Sequence, residues 1–359
     1  MQDPVDRTDI PNYWRWNGHQ SWHGTRVLVT GAGGFVGGAL AAELVRRGAS
    51  VVTILRDARG DRRLSLLGIA GRVEVVYGSI ADYATVERTF NEYEVEHCFH
   101  LAAQAMVGVA NRSPLSTFES NIRGTWTLLE AARQSRFLRG FVFASSDKVY
   151  GDQAALPYTE DAPLCAIYPY DASKLCAETL VRSYAATFGL PIGIVRCANI
   201  YGDGDLAWSR IVPGTIRSML SGESPLIRSD GTLERDYLYI SDAVDAYLTL
   251  GEAIARDDVN GQAFNFGWGR GFSALQIVRA ILAHADRPIE PTILGQNRGE
   301  IQRQWLSAEK ASRVLGWSPK VLLDEGIFRS VRWYREFLGA GSVARRDLIH
   351  AGADGGGRA

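Results

Sequence analysis

RVLVTGAGGFVGGAL, residues 26–40, decides the fold. An apolar run, Arg26–Thr30, leads into a turn in which Gly31, Gly34 and Gly37 stand three apart, and a helical pattern opens at Phe35. Gly31 permits a tight turn, Gly34 lets a phosphate approach the backbone, and Gly37 brings the helix close to the sheet. The N–H groups and partial positive charge of that helix start suit a pyrophosphate. Strand before and helix after make this a dinucleotide-binding turn rather than an unliganded glycine loop.

Outward from this turn the alternation continues. The Phe35–Arg47 helix ends at Gly48, and apolar runs follow at 51–55, 73–77 and 97–101, then at 141–144 and 192–196. Helical patterns lie between most of them. Strands alternating with helices predict an α/β fold, a doubly wound, Rossmann-like parallel sheet covered on both faces. After residue 197 the alternation weakens and Gly, Pro and aromatic residues become frequent. The expected organisation is an N-terminal arm (1–23), a dinucleotide-binding domain (24–196, with 238–265 returning to it), a smaller substrate lobe (197–237 and 266–339) and a flexible tail (340–359). Three tryptophans, Trp14, Trp16 and Trp22, suggest that the arm packs on something, its own domain included.

Composition narrows the function. The 359 residues carry 39 Lys and Arg against 40 Asp and Glu, a net charge of −1, which argues against binding nucleic acid through a broad basic surface. No uncharged apolar run approaches the roughly 20 residues of a membrane helix. The N-terminus lacks the pattern of a secretory signal, and four scattered cysteines without a CxxC pair fit a reduced, cytoplasmic setting. No Cys/His cluster has metal-ligand spacing.

The second apolar run ends in ILRDARGDRR. An acidic residue here binds a ribose 2′-hydroxyl, whereas an arginine accommodates a 2′-phosphate. Arg56 precedes Asp57 and further arginines follow, so NADP is favoured and NAD stays open. Tyr170 and Lys174 lie four apart in YPYDASKLCAE, on one face of a helix expected to run to Phe188 and stop at Gly189. A lysine beside a tyrosine favours the phenolate, which then takes a hydroxyl proton. ASSDKVYG follows the fifth strand, placing Ser145, Ser146, Asp147 and Lys148 where ligands of open α/β sheets bind.

These motifs resemble those of the extended short-chain dehydrogenase/reductases that act on nucleotide sugars. TGAGGFVG, HLAAQ (100–104), NIRGT (121–125), SSDKVYG, YDASK, RCANIYG (196–202), GDGDLAWSRIVP, RDYLYISD (235–242) and KASRVLGWSP (310–319) all match, spanning residues 25–330. The SSDK run and GDGDLAW are similar to CDP-glucose 4,6-dehydratase, and LRD after the second strand to GDP-mannose 4,6-dehydratase. The resemblance implies a nucleotide-sugar 4,6-dehydratase with a bound, recycled cofactor. Tyr170 would take the proton of the sugar 4-hydroxyl as hydride passes from carbon 4 to the oxidised cofactor. Lys174 would hold the nicotinamide ribose and tune Tyr170, and Ser146 would bond the 4-oxygen. The 4-ketone acidifies carbon 5, Asp147 would protonate the leaving 6-hydroxyl, and hydride would return to carbon 6.

By the same resemblance the cofactor would be held by Gly31, Gly34, Phe35, Val36, Gly37, Arg56, Asp57, Ser79, Ile80, Leu101, Ala102, Ala103, Gln104 and Asn121, with Tyr170 and Lys174. The nucleoside-diphosphate hexose would meet Asn199, Arg210, Arg235 and Arg303. A homodimer is implied. Two positions depart from the pattern. Lys148 stands where many dehydratases carry a glutamate base, and a lysine is a base only if its pKa falls. Ser79 replaces an aspartate that contacts the adenine. The alternatives are a 4-epimerase, which needs no acid for a 6-hydroxyl, and an inactive cofactor-binding protein, which the presence of Tyr170 and Lys174 disfavours.

Overall fold

The computed structural model describes residues 22–296 and 301–339. Most of the expected arm and the whole expected tail lie outside the described residues. Trp22 does not: it is buried, its indole N–H donates to Glu252 at 2.8 Å, and its ring meets His97 edge-on at 5.0 Å.

The chain order is β1 (Arg26–Thr30), α1 (Phe35–Arg46), β2 (Ser50–Leu55), α2 (Arg59–Leu66), β3 (Val73–Tyr77), α3 (Tyr83–Glu92) and β4 (His97–His100). Then come α4 (Val107–Arg112), α5 (Pro114–Phe118), a π-helical turn (Glu119–Arg123), α6 (Gly124–Gln134), β5 (Gly140–Ala144), a 3-10 turn (Asp147–Tyr150) and α7 (Pro169–Phe188). After β6 (Ile192–Cys197) follow β7 (Asn199–Tyr201), α8 (Ile211–Leu220), β8 (Leu226–Ile227), β9 (Glu234–Arg235), β10 (Tyr237–Tyr239) and α9 (Ile240–Ala253). The chain closes with β11 (Ala263–Phe266), β12 (Phe272–Ser273), α10 (Ala274–Leu282), β13 (Thr292–Ile293), β14 (Arg303–Gln304), a second π-helical turn (Ala311–Leu315) and α11 (Leu323–Gly339).

Seven strands form one sheet in the order β11-β6-β5-β4-β1-β2-β3. The pairs from β3 to β6 are parallel. Every residue of β5 and β6 is buried, as expected where helices cover both faces, while β3, at the sheet edge, buries only Val73 and Val76. From β1 the chain runs outward to β3, returns, and builds β4, β5 and β6 on the other side. The order therefore reverses between β1 and β4, and ligands of such sheets bind at that switch point.

The residues fall into two compact units. The first takes in the described chain to Ser145, with Ile167–Val195 and Tyr247–Ala263. Leu28, Phe141, Phe143, Leu128 and Val181 share its core. The second takes in Ser146–Ala166, Arg196–Ala246 and the described chain from Phe264. This division differs from the expected one: 146–166 goes with the second unit, the return to the first begins at Tyr247 rather than Leu238, and two boundaries shift by one or two residues, to Val195 and Ala263. In the second unit β7 pairs with β10, β8 with β13, and β9 lies between β12 and β14.

Candidate active site

In the first unit the loops after β1 and β4 meet. Gly31 has φ +82°, and a Cβ there would stand 2.8 Å from the Ala102 nitrogen. A Cβ on Gly37 would stand 2.3 Å from the Gly31 oxygen, so both positions exclude a side chain. Gly34 caps α1 without a side chain, leaving the helix start open for an anion. This close-packed turn fits a dinucleotide. Leu101, Ala102, Ala103 and Gln104 form a half-buried lip beside it. Ser79 is exposed and its hydroxyl accepts from Ala81 N–H, while Ile80 is buried against the Gly124 position. At the end of β2 the Asp57 carboxylate is held by Arg59 at 2.8 Å, which lowers its pKa. Arg56 is exposed, and its guanidinium has no hydrogen bond or ion pair among the described residues.

His100 anchors the end of β4. Its ring nitrogens meet the hydroxyls of Thr30 and Thr125 at 2.8 and 2.9 Å. Burial, with Lys174 adding to it, pulls its pKa down to about 3, so the ring stays neutral. Asn121 sits on the π-helical turn with both ends of its amide engaged. Its oxygen accepts from Gln104 N–H at 2.7 Å; its nitrogen donates to the Gln104 carbonyl and to the Ser173 hydroxyl, at 3.1 and 2.9 Å. Ser173 donates in turn to the Tyr170 carbonyl at 2.6 Å. Asn121 thus ties the loop after β4 to the helix turn that carries Tyr170 and Lys174.

That helix, α7, runs Pro169–Phe188 and stops at Gly189, which is left-handed at φ 65°. Lys174 is buried. Its ammonium donates to the Ala144 carbonyl at 2.7 Å and lies 5.3 Å from the Phe143 ring centroid. Burial lowers its pKa to about 8. One turn on, Glu178 is fully buried, accepts the Ser145 hydroxyl at 2.6 Å and pairs with Arg182 at 3.0 Å. Ser145 is committed to that bond, which leaves Ser146 as the serine of the motif for other partners.

In the second unit Ser146 caps the 3-10 turn, its hydroxyl accepting Lys148 N–H and donating to the Asp147 carboxylate at 3.1 Å. The Lys148 amine lies 3.5 Å from the same carboxylate. Gln304, fully buried on β14, closes the group. Its amide nitrogen donates to the Asp147 carbonyl at 2.8 Å, and its amide oxygen accepts from the Lys148 amine. Asp236 is near: burial raises its carboxyl to about 6 against the backbone N–H groups of Trp268, Gly269 and Leu306, with Asp147 adding to the rise. Behind the turn, Arg196 donates to the Tyr150 hydroxyl at 2.6 Å and Tyr150 to Asn265 at 2.7 Å, all three buried.

The four substrate candidates are placed differently. Asn199 starts β7, half-buried. Arg210 precedes α8 and bonds buried Asp205 at 3.0 Å. Arg235 on β9 is in register with Gln304 on β14, whereas Arg303 is in register with Glu234. Side chains alternate along strands, so Arg235 shares the face of Gln304 and Arg303 takes the other. There its guanidinium is 61% exposed and 3.6 Å from Glu234. The structure therefore gathers Gly31, Gly37, Gln104, Asn121 and Lys174 in the first unit. In the second it gathers Ser146, Asp147 and Lys148, with Arg235 on the Gln304 face. Glu178 and Gln304 were missed. Glu178 was findable, four residues after Lys174; nothing in the sequence around Gln304 marks it.

A parallel sheet with a glycine turn at its switch point, followed by a YxxxK helix, defines a dinucleotide-binding α/β enzyme. The chain matches the model of the NAD dependent epimerase/dehydratase family over residues 27–267 and belongs to that family. It is 32% identical over 314 residues to a UDP-glucose 4-epimerase of Mycolicibacterium smegmatis, covering 86% of this chain and 98% of that one. It is 31% identical over 328 residues to a dTDP-glucose 4,6-dehydratase of Xanthomonas campestris, covering 86% and 92%. Among solved structures it is similar to a dTDP-glucose 4,6-dehydratase of Streptomyces venezuelae with NAD bound, with TM-score 0.78, 27% identity and coverage of 88% and 98%. It is also similar to a UDP-glucose 4-epimerase of Thermotoga maritima with UDP-glucose, with TM-score 0.77, 30% identity and coverage of 87% and 99%. It is a nucleotide-sugar-modifying enzyme of this family. No helix among the described residues is long and apolar enough to cross a membrane.

Proposed function

We propose that the protein is a nucleotide-sugar 4,6-dehydratase. The observation that carries this reading is Asp147. It is a buried carboxyl with an amine 3.5 Å away, in a turn that Gln304 holds from a distant strand. A 4-epimerase has no step for such an acid; loss of a 6-hydroxyl does. The bound dinucleotide would supply a hydride acceptor at the sugar carbon 4 and a donor at carbon 6. The Gly31–Gly37 turn and the lip at 101–104 would hold it, with Asn121 fixing that lip to α7.

The other roles follow from the residues. Tyr170 removes the 4-hydroxyl proton, and Lys174 favours its phenolate by a charge that burial leaves unscreened. Ser146 orients the 4-oxygen. The 4-ketone then makes the carbon 5 proton acidic; Lys148, as a neutral amine, would take that proton and return it to carbon 5 as hydride reaches carbon 6, while Asp147 protonates the departing 6-hydroxyl as water and is reprotonated with the proton that Tyr170 took from the 4-hydroxyl. Lys148 lies between a carboxylate and an amide oxygen; as an ammonium it would donate hydrogen bonds to both, and to serve as the carbon 5 base it must give up its proton. Asn199, Arg210 and Arg235 hold the sugar diphosphate. Unpaired Arg56, with Asp57 turned to Arg59, favours a 2′-phosphate and hence NADP; the NAD seen in the Streptomyces venezuelae neighbour favours the other cofactor. Exposed Leu115, Phe118, Trp126 and Phe188 on α5, the π turn flank, α6 and α7 offer an apolar surface for a second copy, checked by light scattering.

The test is an incubation with CDP-, GDP-, UDP- and dTDP-hexoses, read by mass spectrometry. Loss of one water from one of them, with no net cofactor consumption, is expected. An isomer of unchanged mass would instead establish the epimerase reading, which the Mycolicibacterium smegmatis relative favours. Asp147→Asn should bind cofactor normally and eliminate water about 10²–10⁴-fold more slowly; elimination at the normal rate would remove Asp147 from the mechanism.

A further inference from the structure

The second unit contains a cleft of ≈ 420 Å³ between the start of α8 and the strand β8, large enough for much of a nucleotide. Its polar side chains are those of arginines and hydroxyl residues. Three guanidinium groups, Arg210, Arg217 and Arg228, face it with several hydroxyls, and no Asp, Glu, Asn or Gln lines it among the described residues. Two of the arginines are oriented by neighbours: Arg210 bonds buried Asp205 through one nitrogen, which leaves further N–H groups for a ligand, and Arg217 lies 5.2 Å from the Trp208 ring. Trp208, also in the lining, has a buried indole N–H with no partner among the described residues. Arg228 is exposed and its guanidinium has no hydrogen bond or ion pair among the described residues.

Arg210, beside the open start of the ten-residue α8, is placed for phosphate. Arg228 follows β8 on the other wall, and exposed Leu226, two residues before it and on the same face of the strand, offers an apolar contact to a flat base. We propose that Arg228 selects the nucleobase, and that the cleft takes a nucleoside diphosphate whose base offers two adjacent acceptors on one edge. Guanine does so with O6 and N7, and cytosine with O2 and N3; a guanidinium fork meets either pair with two parallel N–H groups. Uracil and thymine alternate acceptor, donor and acceptor, so one N–H of the fork would face another donor. This rests on the nucleotide-sugar reading above and names its base.

Calorimetric titration of the full chain with CDP, GDP, UDP and dTDP tests the inference without turnover. GDP or CDP is expected to bind about tenfold tighter or better than UDP and dTDP, and the tighter of the two identifies the base. Arg228→Leu, an exposed substitution that should leave folding intact, is expected to bring the four affinities to within about threefold. Preference for UDP or dTDP would overturn the inference and leave the nucleotide-sugar reading standing. An Arg228→Leu variant that weakens all four equally would also overturn it, making Arg228 a phosphate ligand. Failure of all four to bind would overturn both.

Discussion

The two units place a lysine in opposite surroundings. In the first, Lys174 is 4% exposed, bonds one backbone carbonyl and faces an aromatic ring, with no carboxylate partner among the described residues. In the second, Lys148 keeps 19% of its side chain exposed and lies between Asp147 and Gln304. Lys174 is dry, and burial lowers its pKa; in the mechanism proposed above its charge would act on Tyr170 through a medium of low polarity. Lys148 gains definition from polar partners. The first arrangement needs only one helix and the strand under it. The second needs a turn and a strand brought together from 157 residues apart.

The largest effect should come from removing the dry charge. Lys174→Met should lower turnover by about 10²–10⁴-fold while leaving the melting temperature equal or higher, because methionine fills a similar volume without a buried charge. A large loss of stability would break the comparison. The pH dependence sharpens it. Below about pH 8 Lys174 is charged in both folded and unfolded chains, and the folded state carries the full cost of burial. From pH 8 towards its ordinary 10.5 the unfolded chain holds the proton and the folded one does not, so stability rises. Over the same window the charge proposed to favour the Tyr170 phenolate disappears. Activity should therefore fall through about pH 8 in the ligand-free enzyme's kcat/KM profile, as wild-type stability rises relative to Lys174→Met.

The polar arrangement should break more gently. Gln304→Leu leaves the Asp147 carbonyl and the Lys148 amine each short of a partner in a buried place. A destabilisation of about 1–3 kcal/mol is expected. Turnover should fall by about tenfold, equal to a barrier rise near 1.4 kcal/mol, with KM nearly unchanged. A purely structural role would lower the melting temperature without altering kcat of the folded fraction. Gln304→Glu, which offers Lys148 a second carboxylate, should retain the amine contact while losing the donor to Asp147.

The same contrast decides how much was legible beforehand. β1 and β3 have the bounds that their apolar runs suggested, and α7 ends at the glycine expected to stop it. Strands buried on both faces read as apolar runs, and a helix of 20 residues shows its period. The glycine turn was legible because two positions tolerate no Cβ. Most strands of the second unit have two or three residues, too few to show alternation. Gln304 acts through a contact set by the pairing of β14 with β9, which no local pattern encodes. Nor does any local pattern encode the bonds by which the Asn121 amide ties the loop after β4 to α7.

The smallest effect separates the faces of the β9–β14 ribbon. Arg235 and Arg303 both matched the resemblance, yet register alternation turns them to opposite sides, with Arg235 beside Gln304 and Arg303 beside Glu234. An exposed pair at 3.6 Å contributes little in water. Arg303→Ala should shift stability by no more than about 0.5 kcal/mol and leave the KM for the sugar nucleotide unchanged. Arg235→Ala should raise that KM by about tenfold, through loss of one charged bond to phosphate. Equal effects from the two substitutions would mean that both arginines reach the substrate, and that the side chains leave the strands differently from what the register dictates.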